Sequence, residues 1–211
     1  MSDETAELAG LVEPGRTAAL IIDVQKAFTD ESRQTKYPPL GQVLSRTQAF
    51  VDAARRVGVR VIWVQVTHPM ETNSPAWLRQ HAPRAATYLD TGSDEAQFHP
   101  GFGPVGDDLL LTKHRYSAFV GTPLELMLHS LGVQNLIVAG LTTDVCVSST
   151  VRDAFQRDFN VITLRDCTAE VSRARYEAAI EAMGATFGAV RTSDEVIAAW
   201  QPQLAAAPRA H

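Results

Sequence analysis

The sequence predicts a three-layer α/β/α sandwich around a six-stranded, mainly parallel sheet. Short runs rich in Val, Ile and Leu alternate with helical patterns along the chain, which is typical of parallel strands joined by crossover helices. The run from Ala18 to Ile22 is apolar at every position, as expected for a strand that is buried on both faces. The 211 residues suit one domain with a sizeable core.

Each predicted element follows from a local pattern. The first helix has an apolar stripe at helical spacing and ends at Gly58, because glycine readily adopts the left-handed conformation beyond a helix. Ser193 is expected to cap the last helix. Residues 67–108 show no strong helical or strand periodicity of apolar residues. They are expected to form an ordered excursion over one face of the molecule. The predicted strands cover 18–22, 59–66, 109–111, 135–139, 160–164 and 186–190. The predicted helices cover 40–57, 122–132, 144–158, 170–183 and a segment after Ser193.

The chain is interpreted as a single domain, residues 1–211. Residues 1–16 are predicted to be a loosely held arm and residues 202–211 a flexible tail, since chain ends are commonly poorly ordered.

Composition excludes several classes of protein. The net charge is −5, which offers no broad basic surface for nucleic acid or for an anionic membrane. No apolar run approaches the ~20 residues that span a bilayer, and the acidic N-terminus does not resemble a signal peptide. The two cysteines are too few for a disulfide scaffold. We therefore expect a cytoplasmic protein that acts on a small molecule.

Three reactive side chains stand at strand ends. Asp23 follows the first strand, Lys113 the third, and Cys146 begins the helix after the fourth. Ligands of open parallel sheets bind beyond the carboxyl ends of the strands, so these residues are expected to meet at one edge. A carboxylate, an amine and a thiol together form a candidate catalytic site.

The position of Cys146 favours a reactive thiol. Near a helix start it lies in the field of unpaired backbone amides, and a nearby Lys113 would lower its pKa further. Asp23 can act as general acid and base. The alternative is a buried structural Cys146, a surface Lys113 and a capping Asp23. Cys167 has neither a helix start nor a neighbouring base, and is expected to be inert.

At these residues the sequence resembles the isochorismatase-like cysteine hydrolases. The similar segments are Leu20–Phe28 (LIIDVQKAF), Thr112–Phe119 (TKHRYSAF) and Gly140–Val147 (GLTTDVCV). Their order and spacing agree with the family over roughly residues 17–190. The stretches Lys113–Phe119 and Val145–Thr150 (VCVSST) look most similar to the ureidoacrylate and biuret hydrolase branch.

The resemblance implies roles for individual residues. It implies a catalytic triad of Asp23, Lys113 and Cys146, a cis peptide between Leu141 and Thr142, and an oxyanion hole formed by the backbone amides of Thr142 and Cys146. By analogy with the family, Phe28 and Phe119 are expected to line the substrate pocket, and Gln25 to steady the loop after the first strand. Trp77 lies in the excursion and is expected either to cover the pocket or to form a core or subunit contact. The resemblance also implies a homo-oligomer, a dimer or tetramer.

One departure from the family concerns metal. Nicotinamidases of the family carry an Asp-x-His pair and a second His after the second strand. This chain has Val66-Thr67-His68-Pro69 and no histidine near residue 74. A single His is too few ligands for a stable site, so we expect no metal and no cofactor. His68, His81, His99 and His114 are expected at the surface or in supporting positions.

The sequence therefore predicts a metal-free cysteine amidohydrolase of a small amide, ureide or carbamoyl compound, acting through a thioester. Two alternatives stay open at this point. One is a metal-assisted, nicotinamidase-like hydrolase, and the other is a catalytically silent homologue that binds a ligand in the same pocket. The sequence does not identify the substrate, because selectivity is expected to reside in residues 67–108 or in a neighbouring subunit.

Overall fold

A parallel sheet forms the centre of the molecule. The computed structural model describes residues 3–32, 36–81 and 89–206. In these residues six strands form one sheet in the order β3-β2-β1-β4-β5-β6, and every neighbouring pair is parallel. The predicted fold class is confirmed. The strands are β1 (Thr17–Ile22), β2 (Arg60–Val66), β3 (Leu109–Lys113), β4 (Asn135–Leu141), β5 (Asn160–Ala169) and β6 (Ala189–Arg191).

Helices cover both faces of the sheet. The longest helices are α3 and α7. A π-helical turn, Thr143–Val147, precedes α6. In the described residues no helix is both long and apolar enough to cross a bilayer. The helices are α1 (Asp3–Leu11), α2 (Lys26–Thr29), α3 (Leu40–Arg56), α4 (Pro75–His81), α5 (Leu124–Ser130), α6 (Ser148–Phe155), α7 (Arg173–Thr186), α8 (Ser193–Ala199) and α9 (Gln201–Ala206).

Strand β1 shows how the sequence produces two cores. All six of its residues are buried, and successive side chains point to opposite faces of a strand. Leu20 and Ile22 pack in one apolar cluster with side chains of α5, α6 and α7. Ile21 packs in the other with side chains of α3 and α8. A fully apolar strand is therefore the central layer of a sandwich.

Both ends of the described chain contain a helix that contacts the core. The N-terminal segment forms α1, and Val12 behind it is buried and accepts a 2.7 Å hydrogen bond from Trp200 Nε1. Leu204 of α9 is also buried. The loose arm over residues 1–16 and the flexible tail from residue 202 stay predictions, but in the described residues both segments contain helices and each contributes a buried apolar side chain. Residues 1–2 and 207–211 lie outside the described part.

Several element boundaries also differ from prediction, and two of the differences lie near the site or the last helix. β5 continues to Ala169 rather than ending at residue 164, so α7 begins only at Arg173. The last helix is capped by Thr192, which forms a reciprocal capping box with Glu195. Ser193 instead donates its hydroxyl to Asp166 Oδ2 at 2.6 Å. The predicted cap, Ser193, lies one residue beyond the observed cap, Thr192. The two residues are adjacent, and Ser and Thr are both good caps.

Candidate active site

The structure brings Asp23, Lys113 and Cys146 together at the carboxyl edge of the sheet. Asp23 directly follows β1, and Lys113 is the last residue of β3. Lys113 Nζ lies 2.7 Å from Asp23 Oδ2 and donates to Cys146 Sγ at 3.4 Å. The side chains of Asp23 and Lys113 are fully buried. Residues that are 90 and 33 positions apart in sequence thus form one compact cluster.

Asp23 lies in an unusual local environment. Its φ is +52°, in the left-handed region that side chains other than glycine rarely adopt. Its amide donates to Val64 O at 2.8 Å, which ties the turn after β1 to β2. Neither carboxylate oxygen accepts a hydrogen bond from the described residues. The contact with Lys113 is therefore an ion pair without good hydrogen-bond directions, in a site closed to water.

Cys146 is held by a turn that differs from the predicted helix start. It lies in the π-helical turn Thr143–Val147, a distortion that is frequent at functional sites. Thr150 donates its hydroxyl to Cys146 O at 2.7 Å and accepts from Ala118 N at 3.0 Å. This bridge connects the nucleophile candidate to the segment that follows Lys113.

The strand end before Cys146 admits only a residue without a side chain. At Gly140, φ is +122° and a Cβ atom would lie 2.0 Å from Ile22 O. The glycine allows β4 to approach β1 beside Asp23. The following peptide, Leu141–Thr142, is cis, in the position that the family resemblance implies.

Electrostatics correct one prediction. Burial raises the pKa of Asp23, and the attraction of Lys113 only partly offsets it. Burial opposes the Lys113 ammonium, yet the charge of Asp23, the largest of several attractions, outweighs it and raises the pKa of Lys113. Burial and the Asp23 charge likewise raise the pKa of Cys146, more than Lys113 lowers it. The lowered Cys146 pKa expected from the sequence is therefore wrong in direction: burial and Asp23 favour the protonated thiol, beside a carboxylate of increased basicity.

A cavity of about 310 Å³ opens above this cluster. Cys146 lines it together with Phe28, Thr142 and Trp77, so these four predicted site residues are adjacent to one space. Asp23 and Lys113 lie beneath Cys146 and do not themselves line it. The sulfur is therefore the reactive atom that a ligand in the cavity meets.

One wall of the cavity is aromatic. We call His68, Trp77, His81 and Tyr116 the aromatic wall. The Trp77 ring lies 4.9, 4.4 and 5.2 Å from the rings of His68, His81 and Tyr116, respectively. Tyr116 Oη also lies 3.0 Å from His81 Nε2. Trp77 and His81 both line the cavity and belong to the excursion that contains α4.

His68 contributes a neutral ring to that wall. Burial, and to a lesser degree the charge of Lys113, lowers the pKa of His68 to about 4. His68 Nδ1 and Asn73 Oδ1 are buried with no hydrogen-bond partner among the described residues, and both residues line the cavity. The sequence offered no signal for Asn73.

A second group of lining residues is charged. We call Lys36, Glu170 and Arg175 the charged wall. Glu170 directly follows β5 and is 1% exposed. Its main chain pairs with that of Tyr37 in both directions, at 2.7 and 2.8 Å. Sequence analysis missed Glu170 because β5 was ended at residue 164; the strand-end rule finds it once β5 is extended to Ala169.

Two predicted pocket residues lie elsewhere. Phe119 is 6% exposed in the apolar core and packs against Phe159 at 6.1 Å and the Arg157 guanidinium at 4.9 Å. Its assignment to the substrate pocket is wrong because its ring faces the core under α5 and α6. Gln25 does not line the cavity either. It donates to Val66 O and Ala96 O and accepts from Val66 N, at 2.8 to 2.9 Å, so it joins the first-strand loop to β2 and the excursion.

Metal ligands are the remaining question at the site. Within residues 3–32, 36–81 and 89–206, no three His, Cys, Asp or Glu side chains form a group that could hold a metal ion. Cys167, the other thiol, is buried far along β5 beside Asp166, Thr47 and Ser193. It does not line the cavity.

Comparison with known proteins agrees with this architecture. The model of the Isochorismatase domain matches residues 17–195. The ureidoacrylate amidohydrolase RutB of Methylobacterium radiotolerans is 31% identical over 219 residues, which cover 94% of this chain and 83% of the relative. RutB of Methylorubrum extorquens is 30% identical over 171 residues, 72% of this chain and 69% of the relative.

A solved structure shares the fold. A cysteine hydrolase from Pseudomonas syringae pv. phaseolicola superimposes with a TM-score of 0.78 at 26% sequence identity, covering 90% of this chain and 94% of the other.

Proposed function

Since the chain belongs to the isochorismatase family, we propose that it hydrolyses a C–N bond of a small amide, ureide or carbamoyl compound, with Cys146 as the nucleophile. Relatives that share about a third of its sequence are named as amidohydrolases. The observation that carries the proposal is the buried cluster in which Lys113 Nζ contacts both Asp23 Oδ2 and Cys146 Sγ.

In the first half of the reaction, the sulfur attacks the substrate carbonyl carbon. Asp23 accepts the thiol proton, since burial has raised the pKa of its carboxyl and so brings its basicity closer to that of the thiol. Lys113 stabilises the developing thiolate and keeps the Asp23 carboxylate oriented. The C–N bond then breaks, and Asp23 returns the proton to the leaving amine, which leaves a thioester on Cys146.

In the second half, water attacks the thioester carbonyl. Asp23 accepts a proton from that water, the C–S bond breaks, and the sulfur recovers the proton as a thiol. The products are a carboxylic or carbamic acid and an amine, and the enzyme returns to its starting state. No redox partner or cofactor is needed for this balance.

The tetrahedral intermediate needs hydrogen-bond donors for its oxyanion. We assign this role to the backbone N–H groups of Thr142 and Cys146, because both residues line the cavity at the turn after β4. Fixed backbone dipoles of this kind commonly lower a barrier by several kcal/mol, about 3 for one donor. Phe28 and Trp77 border the same cavity and supply apolar surface for the substrate.

The test is an ammonia- and amine-release screen over nicotinamide, biuret, ureidoacrylate analogues and N-carbamoyl amino acids. Wild-type protein should hydrolyse at least one of the ureides or carbamoyl compounds. Cys146→Ala should hydrolyse none, whereas Cys167→Ala, which removes the thiol outside the cavity, should retain activity. Mass spectrometry of protein quenched during turnover should find the acyl group on Cys146.

Two outcomes would overturn this proposal. Loss of turnover after chelation, with recovery on adding a divalent metal, would favour a metal-assisted hydrolase. Absence of hydrolysis across the panel, in protein that binds panel members in the cavity, would favour a silent ligand-binding homologue. Slow alkylation of Cys146 in the free protein does not count against the proposal, because the raised pKa of this thiol already predicts it.

A further inference from the structure

Glu170 is a buried carboxylate that the proposed reaction does not use. It is 1% exposed, directly follows β5 and lines the cavity above Cys146. A buried carboxylate is costly unless hydrogen-bond donors surround it. The donors that Glu170 meets therefore indicate what this charge does in the fold.

Both carboxylate oxygens of Glu170 accept from backbone amides. Oε2 accepts from Asp144 N at 3.0 Å, and Oε1 accepts from Val171 N at 2.8 Å. The Val171 contact is local, because that residue is next in the chain. The Asp144 contact instead joins the end of β5 to the turn that carries Cys146, across 26 positions of sequence.

The main chain of Glu170 is itself fixed on two sides. Its amide donates to Tyr37 O at 2.8 Å, and its carbonyl accepts from Tyr37 N at 2.7 Å. The residue before it, Ala169, pairs with Leu141 in the sheet. A side chain on so constrained a backbone can determine where the amide that it binds lies.

The amides on either side of Cys146 are also bound. Val145 N and Val147 N both donate to Thr142 O at 3.2 Å. Together with the amide bound by Glu170, three amides of the turn have fixed directions. The direction of the Cys146 N–H, which we assign to the oxyanion hole, depends on these same contacts.

We infer that Glu170 is a positioning residue, which holds the turn so that the Cys146 N–H points at the oxyanion of the tetrahedral intermediate. This inference rests on the proposed function, because the oxyanion forms only in that reaction. Glu170 acts through the amide of Asp144 rather than on the reacting atoms, and it exchanges no proton in either half of the reaction.

Steady-state kinetics of Glu170→Gln tests this inference. Gln offers one oxygen and one NH₂ group in place of two acceptors, so one of the two amides would face a donor. A displacement of about 1 Å at a reacting centre can cost about 100-fold in rate. We expect kcat to fall about 10- to 100-fold and KM to stay within about 3-fold, because oxyanion donors act mainly in the transition state. A rise in KM with unchanged kcat would show that Glu170 binds the substrate, and would overturn the inference.

Asp166→Asn is the matched control. Asp166 also lies on β5 and accepts from a backbone amide, Ser193 N, at 2.8 Å, but it does not line the cavity. This variant should keep the wild-type kcat. Equal losses of kcat in Asp166→Asn and Glu170→Gln would reflect a general weakening of β5 and would contradict a specific role for Glu170.

Glu170→Asp separates reach from charge, and it keeps the test available if Glu170→Gln does not fold. The shorter side chain retains the negative charge but ends about 1.5 Å earlier. It should therefore lose the amide of Asp144, which belongs to another segment, before that of Val171. We expect kcat to fall about 10-fold or more. Wild-type kcat in this variant would show that charge alone matters, and would overturn the inference.

The step that slows distinguishes positioning from direct catalysis. An oxyanion forms in both halves of the reaction, so acylation and deacylation should both slow in Glu170→Gln. Protein quenched during turnover should then carry no more thioester on Cys146 than the wild type. If Glu170 were instead the base for the hydrolytic water, only deacylation would slow and the thioester would accumulate, which would overturn the inference.

Hydrogen exchange at the turn measures the contact without catalysis. The amide of Asp144 should exchange about 10-fold faster or more in Glu170→Gln than in the wild type or in Asp166→Asn, because it loses a hydrogen bond to a charged acceptor. An unchanged exchange rate would overturn the inference.

The two proposals can fail separately. If the exchange rate changes but the wild type hydrolyses nothing in the panel, the proposed function fails and the attachment of the turn by Glu170 stands. If the wild type hydrolyses a ureide and Glu170→Gln retains its kcat, the inference about Glu170 fails and the proposed function stands.

Discussion

Strand β3 has a buried aspartate ion pair at each end, and the two pairs behave in opposite ways. Asp108 directly precedes the strand and pairs with Arg55, whereas Lys113 ends it and pairs with Asp23. The carboxylate side chain of Asp108 is 6% exposed and that of Asp23 is fully buried. Neither side chain is open to solvent, but the surroundings of Asp23 are the more deeply buried of the two.

The two carboxylates differ in how deeply they are buried and in how many donors each of them meets. Asp108 accepts from Arg55 Nη2 at 2.5 Å, from Trp63 Nε1 at 2.9 Å and from Val105 N at 3.1 Å. Burial acts to raise the pKa of Asp108, but these hydrogen bonds, Arg55 first, lower it overall. The Asp23 oxygens have no well-aligned hydrogen bond within the described residues. Their polar contacts are with Lys113 and Cys146, and burial outweighs both and raises the pKa of Asp23.

The comparison separates stability from chemistry. A carboxylate with several donors is stabilised as an anion and is a poor base. A carboxylate with one imperfect cation contact retains basicity, which a proton-transfer step requires. The ion pair at the amino end of β3 is thus suited to stabilising the fold, and the ion pair at the carboxyl end is suited to proton transfer.

The largest expected effect is on catalysis at the carboxyl end. Cys146→Ala should reduce kcat/KM by about 10⁴-fold or more, since residues that act as a catalytic unit fail together. Asp23→Asn should cause a loss of similar order. Steady-state kinetics on the substrate found in the screen measures both, and activity near wild type in either variant would contradict the proposed chemistry.

Removing Lys113 should have the largest effect on stability. Lys113→Met leaves Asp23 buried without its cation, which we expect to lower the free energy of unfolding by about 3–5 kcal/mol. The double variant Asp23→Asn/Lys113→Met should recover much of that loss. Chemical denaturation measures it, with Lys26→Met as control, because Lys26 forms an exposed pair with Asp94 that should contribute little. Equal losses of unfolding free energy in Lys113→Met and Lys26→Met would refute the view that the buried Asp23–Lys113 pair matters more for stability than an exposed pair.

A change in the ion pair at the amino end of β3 should affect stability but not turnover. Asp108→Asn should lower the free energy of unfolding by about 1–3 kcal/mol, because it weakens hydrogen bonds to a buried charge. A carboxyl group whose pKa is lowered in the folded protein stabilises the fold at pH values above its ordinary pKa. That stabilisation is lost as the pH falls through the lowered pKa. The deficit of Asp108→Asn should therefore shrink toward acid pH while kcat/KM at neutral pH stays at the wild-type level.

The smallest effect concerns the acid limb of the pH–rate profile. Asp23 must be ionised to accept the thiol proton, and its pKa is raised, so kcat/KM should fall at a higher pH than an ordinary aspartate would dictate. Asp108→Asn should leave this limb in place. A limb at or below the ordinary aspartate pKa of about 3.8 would show that another group controls the rate.

Much of the site follows from one rule about sheets. Reactive residues just after parallel strands identified Asp23, Lys113 and Cys146, and the excursion was correctly expected to contribute Trp77. The rule missed Glu170 only because the strand before it was taken as too short. Phe119 was misplaced because a motif fixes the position of a residue in the chain but not the direction of its ring.

The amino-acid sequence by itself determined the layered fold and the convergence of three strand ends, because apolar periodicity selects strands and helices and parallel connection brings their carboxyl ends to one edge. Only the tertiary structure decided that the pKa of the Cys146 thiol is raised rather than lowered, that Lys36 and Arg175 line one cavity, and that the pKa values of Asp23 and Asp108 shift in opposite directions. Each of these depends on burial and on the number of donors within about 3 Å of a charge, which arise from packing between segments distant in the chain.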